Sequence, residues 1–175
     1  MIRRVHANME RFHRTPTRHQ TPIETEMTAH QVRLAIVNRE HAARVPHITQ
    51  MASAEYRGVL HPPSGVHREG VADMERALNE GGAVLAWMGD TAVGAVRFYH
   101  AIDHLAVERL AVIPIARGQG VARMLLARLE ALARQSHLPE VRVGVRRSWP
   151  QTVDLYQRLG YTVRRVPPYP EGTDT

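Results

Sequence analysis

From Leu105 to Leu126 the chain reads LAVERLAVIPIARGQGVARMLL. Within it, Arg117-Gly118-Gln119-Gly120-Val121-Ala122 joins a β-forming run, closed by Pro114, to a segment striped with apolar residues at helical spacing. Glycine at 118 and 120 lets the backbone bend and lets a ligand approach closely. The amides that open a helix have no partner inside it, and the helix dipole adds about half a positive charge there. Such a loop binds anions through its backbone. Gly-x-Gly alone would also serve a plain tight turn. The run lacks the lysine and hydroxyl of a P-loop, and its strand follows a hairpin instead of opening a βαβ dinucleotide unit. Upstream stands Glu108, which on an alternating strand shares a face with Ala106, Leu110 and Val112. A carboxylate among apolar neighbours is a stronger base than one in water, which makes Glu108 a candidate general base. Its structural reading is a salt-bridged or exposed strand residue.

The elements that must position this loop can be read on either side of it. Val32, Leu34 and Ile36 alternate as a strand, and Asn38 is a plausible N-cap for a helix towards Tyr56, with Pro46 expected to kink or divide it. Gly58 to Gly65 reads as a loop around Pro62 and Pro63, and Arg68 to Glu80 as a helix stopped by Gly81-Gly82. Ala83–Met88 and Thr91–Tyr99 flank Gly89-Asp90 as a hairpin, and Leu105 to Ile113 follows as a third strand. Gly120 to Gln135 is the strongest helix, with Val121, Met124, Leu125, Leu129 and Leu132 on one stripe. Val141–Val145 is a strand, Pro150–Leu159 a short helix capped by Gly160, and Tyr161–Val166 a last strand. There is no internal repeat. This order predicts an α/β (α+β mixed) fold: a central, mostly antiparallel sheet with helices packed on it, in which the helix from Gly120 joins two parallel neighbours. Residues 29–175 are expected to form one domain, preceded by a flexible basic arm over residues 1–28 that carries Arg14-Thr15-Pro16-Thr17-Arg18. Patterning starts near Met27, which could itself be a translation start.

The chain has 175 residues, 43% of them hydrophobic, enough for one core. It has no cysteine, which excludes disulfides, cysteine-bound zinc, iron–sulfur clusters and a thiol nucleophile. All 23 basic residues are arginine, so lysine Schiff-base chemistry is excluded too. The net charge of +6 is concentrated: between Arg117 and Arg165 stand ten arginines against Glu130, Glu140 and Asp154. Such a segment asks for an anionic partner, either a phosphorylated cofactor or nucleic acid, and arginine makes bidentate bonds to phosphate. The longest apolar stretch, Gly81 to Gly89, is half of a membrane span of roughly 18 residues, so no membrane partner and a cytoplasmic location are expected. His100 and His104 have zinc-like spacing but fall between strands, so no metal is expected; His61 and His67 read as loop residues and Trp87 as core.

Arg117, Gly120 and Ala122 match the (Gln/Arg)-x-x-Gly-x-(Gly/Ala) loop of the GNAT superfamily of acetyl-CoA-dependent N-acetyltransferases, and Leu155-Tyr156 with Leu159-Gly160-Tyr161 match its second signature. The sequence resembles that family from about Gln31 to Val166, in motifs and in element order. The resemblance implies that backbone amides of Arg117, Gly118, Gln119, Gly120, Val121 and Ala122 hold the pyrophosphate of the cosubstrate acetyl-CoA, with Arg123 able to meet its 3′-phosphate. It implies that the backbone of Leu110, Ala111 and Val112 pairs with the pantetheine arm, that the Val112 amide polarises the thioester carbonyl, and that Tyr156 lies near the sulfur. Tyr156 can also be read as an aromatic on the inner face of a short helix.

The chemistry so implied is direct attack by a primary amine, from a small molecule or a peptide, in a ternary complex. An alkylammonium with a pKa of about 10.4 must lose a proton, which Glu108 would take, and Tyr156 would protonate the thiolate. The alternatives are an acyl-CoA-binding regulatory module without turnover and an arginine-rich nucleic-acid binder, the latter lacking interleaved aromatics. Two features depart from the family. Trp149 stands where many members have asparagine, and the strand that usually closes the sheet after Val166 is missing. That edge would be left open, filled by the arm, or used by a homodimer.

Overall fold

A computed structural model of the chain describes residues 9–15, 32–37, 41–56, 70–146 and 150–164. Asn38, His61, His67, Trp149 and the tail from Pro167 lie outside them, as do the start at Met27 and the rest of the expected arm. The elements are β1 (Met9–Arg14), β2 (Val32–Ile36), α1 (Arg44–Ala52), α2 (Val71–Glu80), β3 (Gly81–Met88), β4 (Thr91–His100), β5 (Leu105–Val112), α3 (Val121–Gln135), β6 (Val141–Arg146), α4 (Pro150–Arg158) and β7 (Thr162–Arg164). Single 3₁₀ turns cover Ala54–Tyr56 and Pro114–Ala116. They build one seven-stranded sheet in the order β2-β3-β4-β5-β6-β1-β7. Every neighbouring pair is antiparallel except β5–β6, the pair that α3 connects.

The helices cover both faces. Gly94 on β4 points at α3, since a Cβ there would stand 2.9 Å from a methyl of Val121 and 3.2 Å from one of Leu125. Arg97, three residues on, points to the opposite face, beside Val45, Pro46 and Thr49 of α1 and Met74 of α2. Leu85, Leu105, Leu125, Leu126 and Leu129 fill the core with almost no exposure, and Trp87 is buried in it as its sequence context suggested. Pro46 lies third in α1, where an amide has no helical partner, so it starts the helix instead of dividing it.

The arm is the main departure from expectation. Residues 9–14 were placed in a flexible segment, yet they form β1 and insert between β6 and β7, with Arg14 opposite Val141 and Phe12 opposite Val163. Of the outcomes expected for that edge of the sheet, the described residues show the arm taking a place in it. Its residues show no clear alternation because both of its edges are paired, and the ladder selects on backbone hydrogen bonds as much as on side chains.

The close approach of α3 to β4 at Gly94 yields a measurable consequence. Gly94→Ala should destabilise the protein by about 1–3 kcal/mol through overpacking against Val121, read as a lower urea midpoint with an unchanged denaturant slope.

Candidate active site

β5 is paired to β6 along only part of its length. Leu105, Ala106 and Val107 face Val141, Arg142 and Val143, after which β6 parts from β5 while its other edge stays paired with β1 from Val141 to Arg146. From Glu108 to Val112, β5 has no strand partner on that side among the described residues, and the two strands form a wedge. The closed end is fastened. The Leu105 amide donates to the Glu140 carbonyl at 3.0 Å, and Arg142 bonds Asp103 at 2.6 Å across the β4–β5 turn and also pairs with Glu140. His104 caps Asp103 at 2.7 Å while His100 meets Ser136 at 3.2 Å, so the two histidines do not share a site. Among the described residues no cluster of three or more histidines and carboxylates could hold a metal ion.

A bulge changes what the open stretch presents. Arg97 pairs with Glu108 and Ala95 with Ala111, so β5 carries one more residue than β4 over this interval. Arg109 absorbs it with a left-handed backbone, φ +53°. Strict alternation is broken there. Glu108 shares its face with Ala106 and Ala111, not with Leu110 and Val112 as the alternation suggested; Val112, opposite Gly94, belongs to the α3 face. The Ile113 amide donates to the Val93 carbonyl at 3.0 Å. Val112 is thus the non-bonded partner of Gly94, and its own N–H points away from β4 into the wedge.

Beyond Val112 the Pro114–Ala116 turn leads into the glycine loop. Gly118 and Gly120 have φ of +75° and +78°, and Gly120 caps α3. The Arg117 amide is already donated to the Pro114 carbonyl at 3.1 Å, which removes it from the expected anion cradle. The Arg117 side chain turns back as well, to the carbonyls of Val112 (3.3 Å) and Ala52 (2.9 Å) and to Glu55 (2.6 Å), tying α1 to the end of β5. Gln119 closes the loop on itself through the Ile115 carbonyl at 3.0 Å. A cleft of about 450 Å³ lies over the loop, walled by Gly118, Gly120, Val121, Ala122 and Arg123 on one side and by Leu155, Arg158 and Leu159 of α4 on the other. Among the described residues three arginines border it, Arg117, Arg123 and Arg158, and no carboxylate does. Arg158 was not foreseen. Its signal was present in the helical spacing, because residues 155, 158 and 159 share one face of α4.

The two proposed acid–base residues have settings the sequence did not reveal. Glu108, partly exposed on the face of α1 and α2, accepts a 2.8 Å bond from Arg97 instead of lying among apolar side chains. The salt-bridged reading of this residue therefore holds alongside any catalytic one. Tyr156 is 4% exposed and packs edge-to-face on Tyr161, ring centres 5.6 Å apart, one helical position away from the cleft-lining Leu155. Burial pushes its phenol far above the ordinary range. The Tyr161 phenol is raised too, first by burial and then by the charge of Glu130, to which it donates.

The family model for the acetyltransferase (GNAT) family matches residues 46–161. The chain belongs to that family. This GNAT acetyltransferase has the fold of solved family structures. It superposes on the aminoglycoside N-acetyltransferase AAC(6')-Iy in complex with CoA with a TM-score of 0.63 at 18% identity, over 81% of this chain and 95% of that one. It superposes on the PaiA N-acetyltransferase of Thermoplasma acidophilum, also in complex with coenzyme A, with a TM-score of 0.68 at 14% identity, over 79% and 94% of the two chains. For the ribosomal-protein-S18-alanine N-acetyltransferase of Escherichia coli the values are 0.61, 16%, 75% and 78%. No curated protein matches the sequence significantly. The GNAT chain is an acyltransferase, and acetyl transfer is its general chemistry. Among its described residues no helix is long and apolar enough to cross a membrane.

Two measurements follow. A Cβ at Gly120 meets nothing within 4 Å but requires a left-handed alanine. Gly120→Ala should therefore cost only about 1–2 kcal/mol of stability, yet, on the loop's expected role as an anion cradle, weaken CoA binding at least tenfold in calorimetry. The raised phenols set the alkaline limit. Unfolded tyrosines ionise near about pH 10 while Tyr156 and Tyr161 stay protonated in the fold, so stability is fully present below about pH 10 and falls above it, by up to about 1.4 kcal/mol per pH unit for each. With no lysine to titrate in that range, urea midpoints between pH 8 and 11 isolate the effect.

Proposed function

We propose that this chain transfers the acetyl group of acetyl-CoA to a primary amine by direct attack in a ternary complex. The observation that carries the reading is the wedge at β5. A strand that loses its neighbour after Val107 leaves backbone donors facing an open slot, and the slot runs into a glycine-capped helix start bordered by three arginines. The slot and the cleft fit an extended amide-bearing arm ending in phosphates. Amides from Gly118 to Ala122 would hold the pyrophosphate, with Arg123 and Arg158 beside the phosphates, and Leu110 to Val112 would pair with the pantetheine.

Acetyl-CoA supplies the activated thioester carbonyl. Glu108, on the α1 and α2 face, takes a proton from the ammonium, directly or through water, and the neutral amine adds to the carbonyl carbon. The oxygen gains charge where the Val112 N–H points. The carbon–sulfur bond then breaks, the Tyr156 hydroxyl gives its proton to the departing thiolate, and the second proton lost by the acylated nitrogen restores the phenol, so that the products are the amide, the CoA thiol and one proton on Glu108. Arg97 holds the Glu108 carboxylate towards this face. Small amines and peptide N-termini both satisfy the chemistry; the aminoglycoside and ribosomal-protein enzymes that share the fold represent the two classes.

Release of free thiol from acetyl-CoA across a panel of amines tests the reading. Glu108→Gln should lower kcat about 100-fold, and Tyr156→Phe about tenfold, each with CoA affinity kept within about twofold. An unchanged rate in Tyr156→Phe would assign that ring to packing against Tyr161. Tight acetyl-CoA binding with no amine-dependent release would instead favour a binding module.

A further inference from the structure

Glu130 is a buried carboxylate that the reaction above does not use. It lies on α3, 7% exposed, beside the fully buried Leu129 and Leu126. A carboxylate so placed is stable only with a cation against it. That cation is Arg14, the last residue of β1, whose Nη1 stands 3.1 Å from Glu130 Oε1. The same nitrogen donates to the Leu159 carbonyl at 2.9 Å. A Cβ at Gly160, φ +86°, would sit 3.5 Å from the guanidinium carbon, so the chain turns directly against it.

Topology gives this contact its meaning. Among the described residues β7 pairs with β1 alone, so the segment that follows α4 joins the sheet's ladder through the inserted strand. α4 supplies one wall of the cleft, through Leu155, Arg158 and Leu159, and the first turn of α3 supplies the other. Arg14 therefore bonds the helix of one wall and the end of the helix of the other.

We propose that Arg14 is a positioning residue for acetyl transfer: by bridging Glu130 to the Leu159 carbonyl, the N-terminal strand sets the spacing of α3 and α4 and with it the grip on acyl-CoA. The inference rests on reading the cleft as the acyl-CoA site. Arg97, to which Glu108 is bonded, lies against α1 and α2, on the face of the sheet opposite the one that carries α3 and Glu130. Losing the bridge should act on the cosubstrate and spare the amine, a split that general destabilisation would not produce.

The test uses the full chain. In Arg14→Gln, acetyl-CoA affinity by calorimetry and its KM should weaken about tenfold or more, the KM for the amine should stay within about twofold, and amide exchange should quicken at Leu159–Arg164. Should that variant fail to fold because Glu130 is left unpaired, Arg14→Gln combined with Glu130→Gln removes both charges, keeps an acceptor for Tyr161, and should show the same cosubstrate defect. If the foldable variant binds acetyl-CoA as tightly as the parent, with unchanged exchange at β7, the role of Arg14 is overturned. A parent chain that binds no acetyl-CoA overturns the reading of the cleft instead.

Discussion

A peptide group in a sheet must find a partner, and the proposed site lies where the ladder between β5 and β6 stops supplying one. β6 abandons β5 after three pairs, and the remaining edge of β5 keeps its donors and acceptors turned towards an opening. The closed end is secured by Arg142 and Asp103, so the parting is a fixed shape and not a frayed end. The bulge at Arg109 then puts Glu108 on one face of the sheet and Val112 on the other. In the proposed reaction the acceptor approaches from the side of α1 and α2, the acyl donor lies along the side of α3, and the strand between them carries both functional groups.

The arginine excess divides between two tasks. Among the described residues Arg123 and Arg158 line the cleft with no carboxylate lining it beside them, and the proposed function assigns them to phosphate. Arg14, Arg97 and Arg142 are committed to Glu130, Glu108 and the Asp103–Glu140 pair. Arg117 bridges the two roles, at the cleft mouth but bonded to Ala52 and Glu55. Guanidinium suits the second task because one group can satisfy a carboxylate and a carbonyl at once, which a lysine ammonium does with less geometric control.

Periodicity made the elements from Val32 to Thr162 legible, because each buries one patterned face: the strongest helix, the hairpin at Gly89-Asp90, and the parallel pair joined by α3 all stand where the sequence puts them. Local pattern could not reveal features decided by distant partners. Arg97 lies eleven residues before Glu108 across a bulged ladder, and no alternation rule anticipates a residue that breaks it. Met9–Arg14 reads as a polar arm because its stability comes from neighbours that lie more than a hundred residues away. Tyr156 was legible both as a signature residue and as an aromatic on the inner face of its helix, but its packing partner was not, since Tyr161 meets it only once the chain turns back at Gly160.

The insertion of β1 also fixes an order of events during synthesis. Of the described strands, residues 9–14 are made before the others, yet Val141, opposite Arg14, follows 127 residues later, which at cellular elongation rates is roughly 6–25 s. Through that interval the rest of the sheet, from β2 to β5, can assemble from neighbours close in sequence while the first-made strand has nothing to join. The earliest-made of the described strands thus waits for β6, and only once it is seated does β7 find the edge it pairs with.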